Sequence, residues 1–269
     1  MPILIHTSGR ADMALQHTAR SIPPFFKSQT YLVVQSQEAK QYRPIAVELQ
    51  LGILVLPARI KQLSPTRQYL VERFANTREP KIILIDDDLT FAVRPKYSIN
   101  YVAASHNSVA DMFHWLYHQL EKYTHAGIAA REGANRIVTN YTNNTRMMRV
   151  LAYDTRQVMK VKARFDRVPI KQDFDMTLQL LRAGHANIVS YQWCHNQRGS
   201  GAAGGCSVYR TEEMQRLVSE HLAELHPGFV KVVQKETKTA WGGGVRTDVQ
   251  MQWKKAYESS HPADRRPQL

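Results

Sequence analysis

The stretch Lys81-Ile82-Ile83-Leu84-Ile85-Asp86-Asp87-Asp88-Leu89-Thr90-Phe91 decides the fold class of this chain. Its uninterrupted apolar half is typical of a strand that is buried on both faces of a sheet. Three consecutive acids follow, and both burial and mutual repulsion oppose the ionised form of neighbouring carboxylates. Because ligands of open α/β sheets bind at the carboxyl ends of the strands, we expect a cation at this turn.

On either side of this stretch, short apolar segments alternate with helical segments along the chain. That alternation indicates an α/β fold, with a mixed and mostly parallel sheet flanked by helices. The predicted strands cover residues 3–6, 31–35, 52–56, 81–85, 127–130, 150–153, 188–192 and 230–233.

Four helices are predicted from their start and stop signals. Ser64-Pro65 begins a helix that runs to about Asn76, and Ser108 with Asp111 resembles a capping box. A third helix follows Lys171 and stops at Gly184. A fourth ends before Pro227, and its apolar spacing predicts that His221 faces the core or is satisfied by a partner, and is not a ligand.

The composition indicates a globular protein with an affinity for anions. Its 269 residues carry 36 Lys and Arg against 23 Asp and Glu, a net charge of +13 that favours nucleic acid or phosphorylated partners. The two cysteines, Cys194 and Cys206, could form at most one disulfide bond, which is too few to stabilise a secreted disulfide-rich fold. No secretory leader and no apolar run of about 20 residues is visible, so we expect a soluble, cytoplasmic protein.

Asp86 and Asp88 are the first candidate site residues. Hard divalent ions such as Mg²⁺ or Mn²⁺ prefer carboxylate oxygens, so these acids are expected to bind a metal or a ribose. The alternative is a solvated acidic turn. Asp173 and Asp175 lie at the start of the third helix, where one of them could act as a general base. Alternatively, both could be there only because the positive end of the helix dipole stabilises acidic side chains.

Three further side chains are expected near these acids. His195 follows the strand at 188–192 and could supply a neutral imidazole nitrogen to the same metal. Cys194 beside it lacks the companions that a structural zinc site needs. Arg10, after the first strand, and Arg67, in the first turn of the helix that begins at Ser64-Pro65, are placed to meet phosphate, although either could be solvated.

Together these motifs resemble the GT-A glycosyltransferase family, which has a Rossmann-like nucleotide-binding sheet. Asp86-Asp87-Asp88 matches the family's Asp-x-Asp motif, Lys171-Gln172-Asp173 approximates its second acidic motif, and His195 its late metal-binding histidine. The resemblance implies a nucleotide-diphosphate sugar donor, a UDP-sugar first of all, and Mn²⁺ or Mg²⁺. It implies the following roles: nucleotide contacts for Thr7, Ser8, Arg10, Arg67, Asp86 and Asp87, metal ligation for Asp86, Asp88 and His195, and the base for Asp173.

More narrowly, the chain resembles the TET-associated glycosyltransferases of phages. The shared stretches are 64–69, 86–88, 204–207, 227–229 and 253–255. This resemblance implies transfer of a sugar to a hydroxymethylated pyrimidine such as 5-hydroxymethylcytosine in DNA, within a host cytoplasm. Gln172 stands where the broad family prefers Glu, which leaves the base open between Asp173 and Asp175.

We therefore predict a nucleotide-sugar-binding core over residues 1–200, a basic extension over 201–258 that completes the acceptor site, and a flexible tail over 259–269. Four glycines between 198 and 205 predict a mobile loop that closes over the donor. The residues expected to contact nucleic acid are Lys235, Lys238, Trp241, Arg246, Lys254 and Lys255, with Trp241 filling the gap left by a displaced base. A solvated basic face with Trp241 and Trp253 in the core is the alternative.

Three other functions remain open on these motifs. A nucleotidyltransferase would also use paired acids on an α/β sheet but would release pyrophosphate. A glycosyltransferase that acts on a glycan or a protein would keep the donor site and show no dependence on DNA. A non-catalytic nucleic-acid-binding protein would have no use for three consecutive acids.

Overall fold

A computed structural model describes residues 1–197, 210–237 and 244–261 of the chain. Within them, a ten-stranded sheet has the order β3-β2-β1-β4-β9-β7-β10-β5-β6, and β8 pairs with β10. Seven of its strands run in one direction, whereas β5, β8 and β9 run in the other. The strands of this sheet are β1 (Ile3–His6), β2 (Thr30–Val34), β3 (Gly52–Val55), β4 (Lys81–Asp86), β5 (Leu89–Val93), β6 (Val102–Ala103), β7 (His125–Ala130), β8 (Tyr141–Asn143), β9 (Val150–Asp154) and β10 (Asn187–Gln197).

Helices cover both faces of the sheet, because alternate residues of its apolar strands point to opposite sides. Ile83 and Ile85 of β4 pack in one apolar layer, and Ile82 and Leu84 pack in the other. The predicted fold class is thus confirmed. The helices are α1 (His17–Arg20), α2 (Ala39–Leu49), α3 (Leu63–Ala75), α4 (His106–Gln119), α5 (Arg131–Ala134), α6 (Thr155–Lys160), α7 (Gln172–Arg182), α8 (Glu212–Leu225) and α9 (Trp253–Glu258).

A third apolar cluster lies behind α7. It joins α7, α8, α9 and a two-stranded antiparallel sheet of β11 (Val230–Thr237) and β12 (Gly244–Met251). The segment predicted as a strand at 230–233 therefore belongs to this small sheet and extends further than expected. Trp253 packs edge-on against Phe174 at 5.6 Å between ring centroids.

One expectation about the helices was wrong, and another was met only in part. The helix assigned a capping box at Ser108 begins at His106, and Ser105 caps it by accepting a hydrogen bond from the Ser108 amide at 3.2 Å. His221 faces solvent with half of its side chain exposed, and it lies 3.3 Å from Glu224. No helix in the described ranges is long and apolar enough to cross a membrane.

Candidate functional site

The three acids lie where β1 and β4 end side by side. The two strands are parallel, and their register places His6 opposite Asp86. His6 Nε2 lies 2.8 Å from Asp86 Oδ1, and the Arg67 guanidinium of α3 donates to the same oxygen at 2.9 Å. Although burial acts to raise it, the hydrogen bond from His6 and the charges of Arg67 and Arg149 hold the pKa of Asp86 well below its usual range. Asp86 is therefore an anion at neutral pH.

Thr18 of α1 fixes the backbone of the acidic turn. Its hydroxyl donates to the Asp86 carbonyl at 2.6 Å and accepts from the Leu89 amide at 2.9 Å. Its own amide donates to the Asp87 carbonyl at 3.1 Å. Three main-chain groups of the turn are thus satisfied by one residue, which leaves the carboxylates free to point elsewhere.

Arg10 balances the other two acids. Its guanidinium lies 2.5 Å from Asp87 Oδ1 and 3.0 Å from Asp88 Oδ2, and both carboxylates are buried. Burial raises the pKa of Asp87, and the charge of Arg10 opposes that rise. Gln197 at the end of β10 also donates to Asp88 Oδ2, at 2.8 Å. The solvated-turn alternative is therefore wrong.

The loop after β1 is held by α2. Tyr42 OH lies 3.0 Å from Thr7 Oγ1 and accepts from the Arg10 amide at 3.0 Å. Ser8 Oγ donates to Glu38 Oε2 at 2.8 Å. Arg10 and Thr7 thus meet the acidic turn, whereas Ser8 is turned to Glu38 at the start of α2.

His195 and Asp88 offer unused ligand atoms. His195 is fully buried, and its ring nitrogens form no hydrogen bond of good geometry with the described residues, although the Met148 main chain lies close enough to act on the ring. Burial, helped by Arg149 and Arg146, lowers the pKa of His195 to about 3, although Asp86 and the Met148 main chain act in the opposite direction. The ring is therefore neutral. Asp88 Oδ1 is likewise buried without a partner in the described part of the chain.

These atoms have the donor chemistry that a divalent ion requires, namely carboxylate oxygen and neutral imidazole. Within residues 1–197, 210–237 and 244–261, no three His, Cys, Asp or Glu side chains converge as a complete metal cage. Mg²⁺ is usually bound by one or two carboxylates together with substrate phosphates, so these residues fit a metal that a diphosphate helps to hold. The metal assignment stays a prediction.

The two acids of α7 have different surroundings. Asp175 is fully buried, with Oδ1 2.7 Å from His226 Nε2 and Oδ2 2.9 Å from Gln179 Nε2. Arg167 lies 3.3 Å from Oδ2 as well. Asp175 is thus enclosed by protein and ties α7 to the end of α8, which leaves it no path to a substrate. Asp173, two residues earlier in the same turn, is partly exposed and can be approached.

Arg146 and Arg149 complete the site, and the sequence reading missed them. Arg149 precedes β9, and its carbonyl accepts from the Asp86 amide at 3.0 Å. Burial lowers the pKa of Arg146, and the charge of Asp173 opposes that shift. Arg146 also lines a cleft of about 200 Å³ with Met148, Tyr191 and residues of β7 and α5. The signal available in the sequence was that both arginines come just before a strand. That signal would have placed them at this site only if β9 had been predicted to run antiparallel to β4.

A second charged cluster surrounds Asp248 of β12. Lys171 at the start of α7, Lys235 and Arg246 lie 3.2, 2.9 and 3.4 Å from its carboxylate. Burial acts to raise the pKa of Asp248, but the bond from Lys235 and the charge of Lys171 bring it to about 2. Three cations around one carboxylate leave an excess of positive charge beside α7.

The other residues expected to contact nucleic acid are distributed unevenly. Lys254 and Lys255 are exposed on α9, and Lys255 Nζ donates to the Gly228 carbonyl at 3.2 Å. Trp253 packs on Phe174, as the core alternative expected for it. Lys238 and Trp241, the glycine-rich loop, Cys206 and most of the predicted tail lie outside the described residues.

Two solved structures share this fold. Staphylococcus aureus TarS 1–349 in complex with UDP-GlcNAc is 11% identical with a TM-score of 0.50, and the match covers 83% of this chain and 67% of that one. GalNAc-T7 with UDP, GalNAc and Mn²⁺ is 8% identical with a TM-score of 0.52, covering 83% and 47% of the two chains. At such low identity the likeness concerns the fold.

The protein has a mixed sheet between helical layers, with an acidic turn at the end of the central strand β4. This architecture places it in the class of glycosyltransferases with the GT-A fold. A family model then gives the particular group. The chain belongs to the TET-associated glycosyltransferase family, whose model matches residues 1–205. No curated protein matches the sequence significantly. Both levels of the expected family resemblance are thereby confirmed.

Proposed function

We propose that the protein transfers a sugar from a nucleoside-diphosphate sugar, UDP-linked in the first instance, to 5-hydroxymethylcytosine or a related pyrimidine in DNA. The observation that carries the donor half is the pair of unused ligand atoms, Asp88 Oδ1 and the neutral ring of His195, at the carboxyl edge of the sheet. UDP-GlcNAc bound to TarS and UDP bound to GalNAc-T7 support the donor class.

Asp88 and His195, with Asp86 beside them, would hold Mg²⁺ or Mn²⁺ only together with the donor diphosphate, because no three such side chains of the described residues form a metal site by themselves. The ion would supply positive charge against the departing diphosphate. The chain's own residues prepare that position. Arg67 and His6 occupy one oxygen of Asp86, and Arg10 occupies Asp87 and one oxygen of Asp88. Because these partners are buried and fixed, the acids keep one orientation whether or not a donor is present.

Donor binding would use the loop after β1. Thr7, Ser8 and Arg10 are rigidly supported by α2, so the nucleotide meets a preformed wall. Arg146 and Arg149 add two cations to the same edge, close enough to influence Asp173, Asp86 and His195 electrostatically. Such a preorganised field favours the charge that develops on a leaving diphosphate.

Asp173 would act as the base in an inverting reaction. Its carboxylate receives the proton of the acceptor hydroxyl while the oxygen forms a bond to the sugar carbon and the diphosphate leaves. Asp173 is partly exposed, and Arg146, which lines the cleft, is close enough to interact with its charge. Asp175 cannot share this role because His226, Gln179 and Arg167 surround it.

A polyanionic acceptor fits the charges next to this base. The cluster of Lys171, Lys235 and Arg246 around Asp248 adjoins the start of α7, and cations of this kind supply the sequence-independent attraction to a phosphate backbone. Residues 201–258 would thereby complete the acceptor site. The TET-associated family supports a DNA acceptor carrying hydroxymethylated pyrimidines.

The central test is donor cleavage by Asp88→Asn. We expect release of nucleoside diphosphate from UDP-sugars with Mn²⁺ or Mg²⁺, coupled to a hexose-sized mass gain on 5-hydroxymethylcytosine DNA, and a fall of about 10²-fold or more in the variant. Lys40→Ala on α2, an exposed position, is the control. Full activity of the Asp88 variant would overturn the metal assignment, and diphosphate release without a gain on DNA would move the acceptor elsewhere.

A further inference from the structure

Exposed apolar side chains concentrate beside the cleft. Twelve large hydrophobic residues of the described chain are exposed, and five of them lie on the segments 97–102 and 138–141. We call these five side chains the tyrosine face: Tyr97, Ile99, Val102, Val138 and Tyr141. Tyr97 is 95% exposed and Tyr141 is 59% exposed, so neither ring serves the core. Such a concentration indicates an interaction surface.

A buried arginine ties the two segments together. Arg94 is 4% exposed and donates to the carbonyl of Ile137 at 2.8 Å and to the hydroxyl of Tyr101 at 3.1 Å. It also reaches the carbonyls of Ala134, Val138 and Thr139 at 3.3 to 3.4 Å. One guanidinium thus holds the chain before Tyr97 against the chain before Tyr141, and the tyrosine face is a supported surface.

The same contacts connect the tyrosine face to the cleft. Tyr191 lines the cleft together with Ile137 and Arg146. Tyr101 OH donates to the Tyr191 carbonyl at 2.5 Å, and the Tyr191 amide donates to the Asn140 carbonyl at 2.7 Å. Each segment of the tyrosine face is therefore bonded to a residue of the cleft wall. A ligand that leaves the cleft on this side meets exposed aromatic rings.

The charge of the two segments selects the partner. Apart from the buried Arg94, residues 94–103 contain Lys96 and no acid, and residues 131–141 contain two arginines against Glu132. Lys96 Nζ lies 5.0 Å from the centre of the Tyr97 ring. Exposed aromatics interleaved with cations are the pattern of surfaces that bind single-stranded nucleic acid, where bases stack and phosphates meet the cations.

We propose that the tyrosine face binds the single-stranded nucleotides that flank the acceptor base, with bases stacked on Tyr97 and Tyr141 and phosphates near Lys96 and Arg136. This inference rests on the proposed DNA acceptor and names the strand state that the site accepts. It also assigns the stacking role to tyrosines, since Trp253 is packed against Phe174.

The test compares single-stranded and duplex oligonucleotides containing 5-hydroxymethylcytosine, by fluorescence anisotropy with the full-length protein. Stacking is worth about 1–3 kcal/mol per base, so the double variant Tyr97→Ala/Tyr141→Ala should weaken single-strand binding by about tenfold or more. Tyr97→Phe/Tyr141→Phe keeps both rings and should bind normally. Phe25→Ala is the matched control, because Phe25 is 70% exposed, a value between those of the two tyrosines, and lies outside the tyrosine face.

Three outcomes overturn the inference: unchanged binding by the alanine variant, an equal loss in Phe25→Ala, or no single-strand binding by the parent protein. Donor cleavage without DNA is measured in the same preparations and should be unchanged in every variant. If cleavage is present and single-strand binding is absent, this inference fails while the glycosyltransferase donor site stands. If cleavage is also absent, the proposed function fails with it.

Discussion

Single residues set the protonation of the site before any ligand binds. His195 and His125 are both fully buried, and burial lowers their pKa values to about 3 and about 4. Asp86 is held as an anion by Arg67, His6 and Arg149 in spite of its burial. The centre therefore presents neutral imidazole and ionised carboxylate at any pH near neutrality, the states that ligate a cation.

The two buried histidines predict how stability depends on pH. Each has a folded-state pKa below its unfolded value of about 6.5, so the unfolded chain binds more protons between about pH 6.5 and pH 4. Stability should therefore fall as the pH decreases through that window. Asp86, whose folded pKa is depressed, loses its contribution only at lower pH.

Thermal unfolding of the parent and of His125→Gln, between pH 7.5 and pH 4.5, checks this prediction. The variant should show a shallower decline in Tm, because one proton-binding difference is gone while those of His195 and His185, whose pKa values burial also lowers, remain. His221→Gln, at an exposed position, should leave the slope unchanged. A parent Tm that stays constant from pH 6.5 to pH 5 would contradict the assignment of two neutral histidines.

At the scale of elements, α7 combines a reactive end with a structural interior. Asp173 and Asp175 are two residues apart, yet one is accessible and the other is enclosed between α7 and α8. Side chains two positions apart on a helix point in different directions. Sequence spacing could place both acids in one turn but could not say which of them would meet the protein's own His226.

This division predicts opposite results for two substitutions. Asp173→Asn should abolish sugar transfer while leaving the Tm unchanged, because the group is partly exposed and its removal leaves no buried charge unpaired. Asp175→Ala should lower the free energy of unfolding by about 3–5 kcal/mol, because Arg167 and His226 lose a buried partner. Urea unfolding and diphosphate release separate the two effects. Loss of transfer with full stability in Asp175→Ala would reverse the assignment.

Strand direction explains which parts of the site could be predicted from the sequence and which could not. The apolar runs at 3–6 and 81–85 predicted two strands whose observed bounds agree within one residue, and so they predicted where the acids lie. Arg149 was missed because β9 runs antiparallel to β4, with Val150 opposite Ile85, which brings residues before a strand to the edge where other strands end. Thr18 was missed because its partners are main-chain groups about 70 residues away.

At the scale of the molecule, the net charge of +13 acts together with the local clusters. If DNA is the acceptor, the logarithm of the binding constant should fall linearly with the logarithm of salt concentration. Lys235→Ala/Arg246→Ala should lessen that slope by about 1 per lost phosphate contact. A titration between 50 and 200 mM salt measures it, with Lys40→Ala as the control at an exposed lysine of α2. An identical slope in the double variant would remove β11 and β12 from the DNA-binding surface.

The charges at the acidic turn have a practical consequence. Three carboxylates at the end of β4 are matched by Arg10, Arg67 and Arg149, all supplied by the chain itself. No added ion is needed to keep these acids together, so folding and metal loading are separate events. Protein treated with a chelator should stay intact and regain activity when the ion is restored. If the proposed metal is required for transfer, a shortage of divalent ions would therefore leave folded, inactive protein.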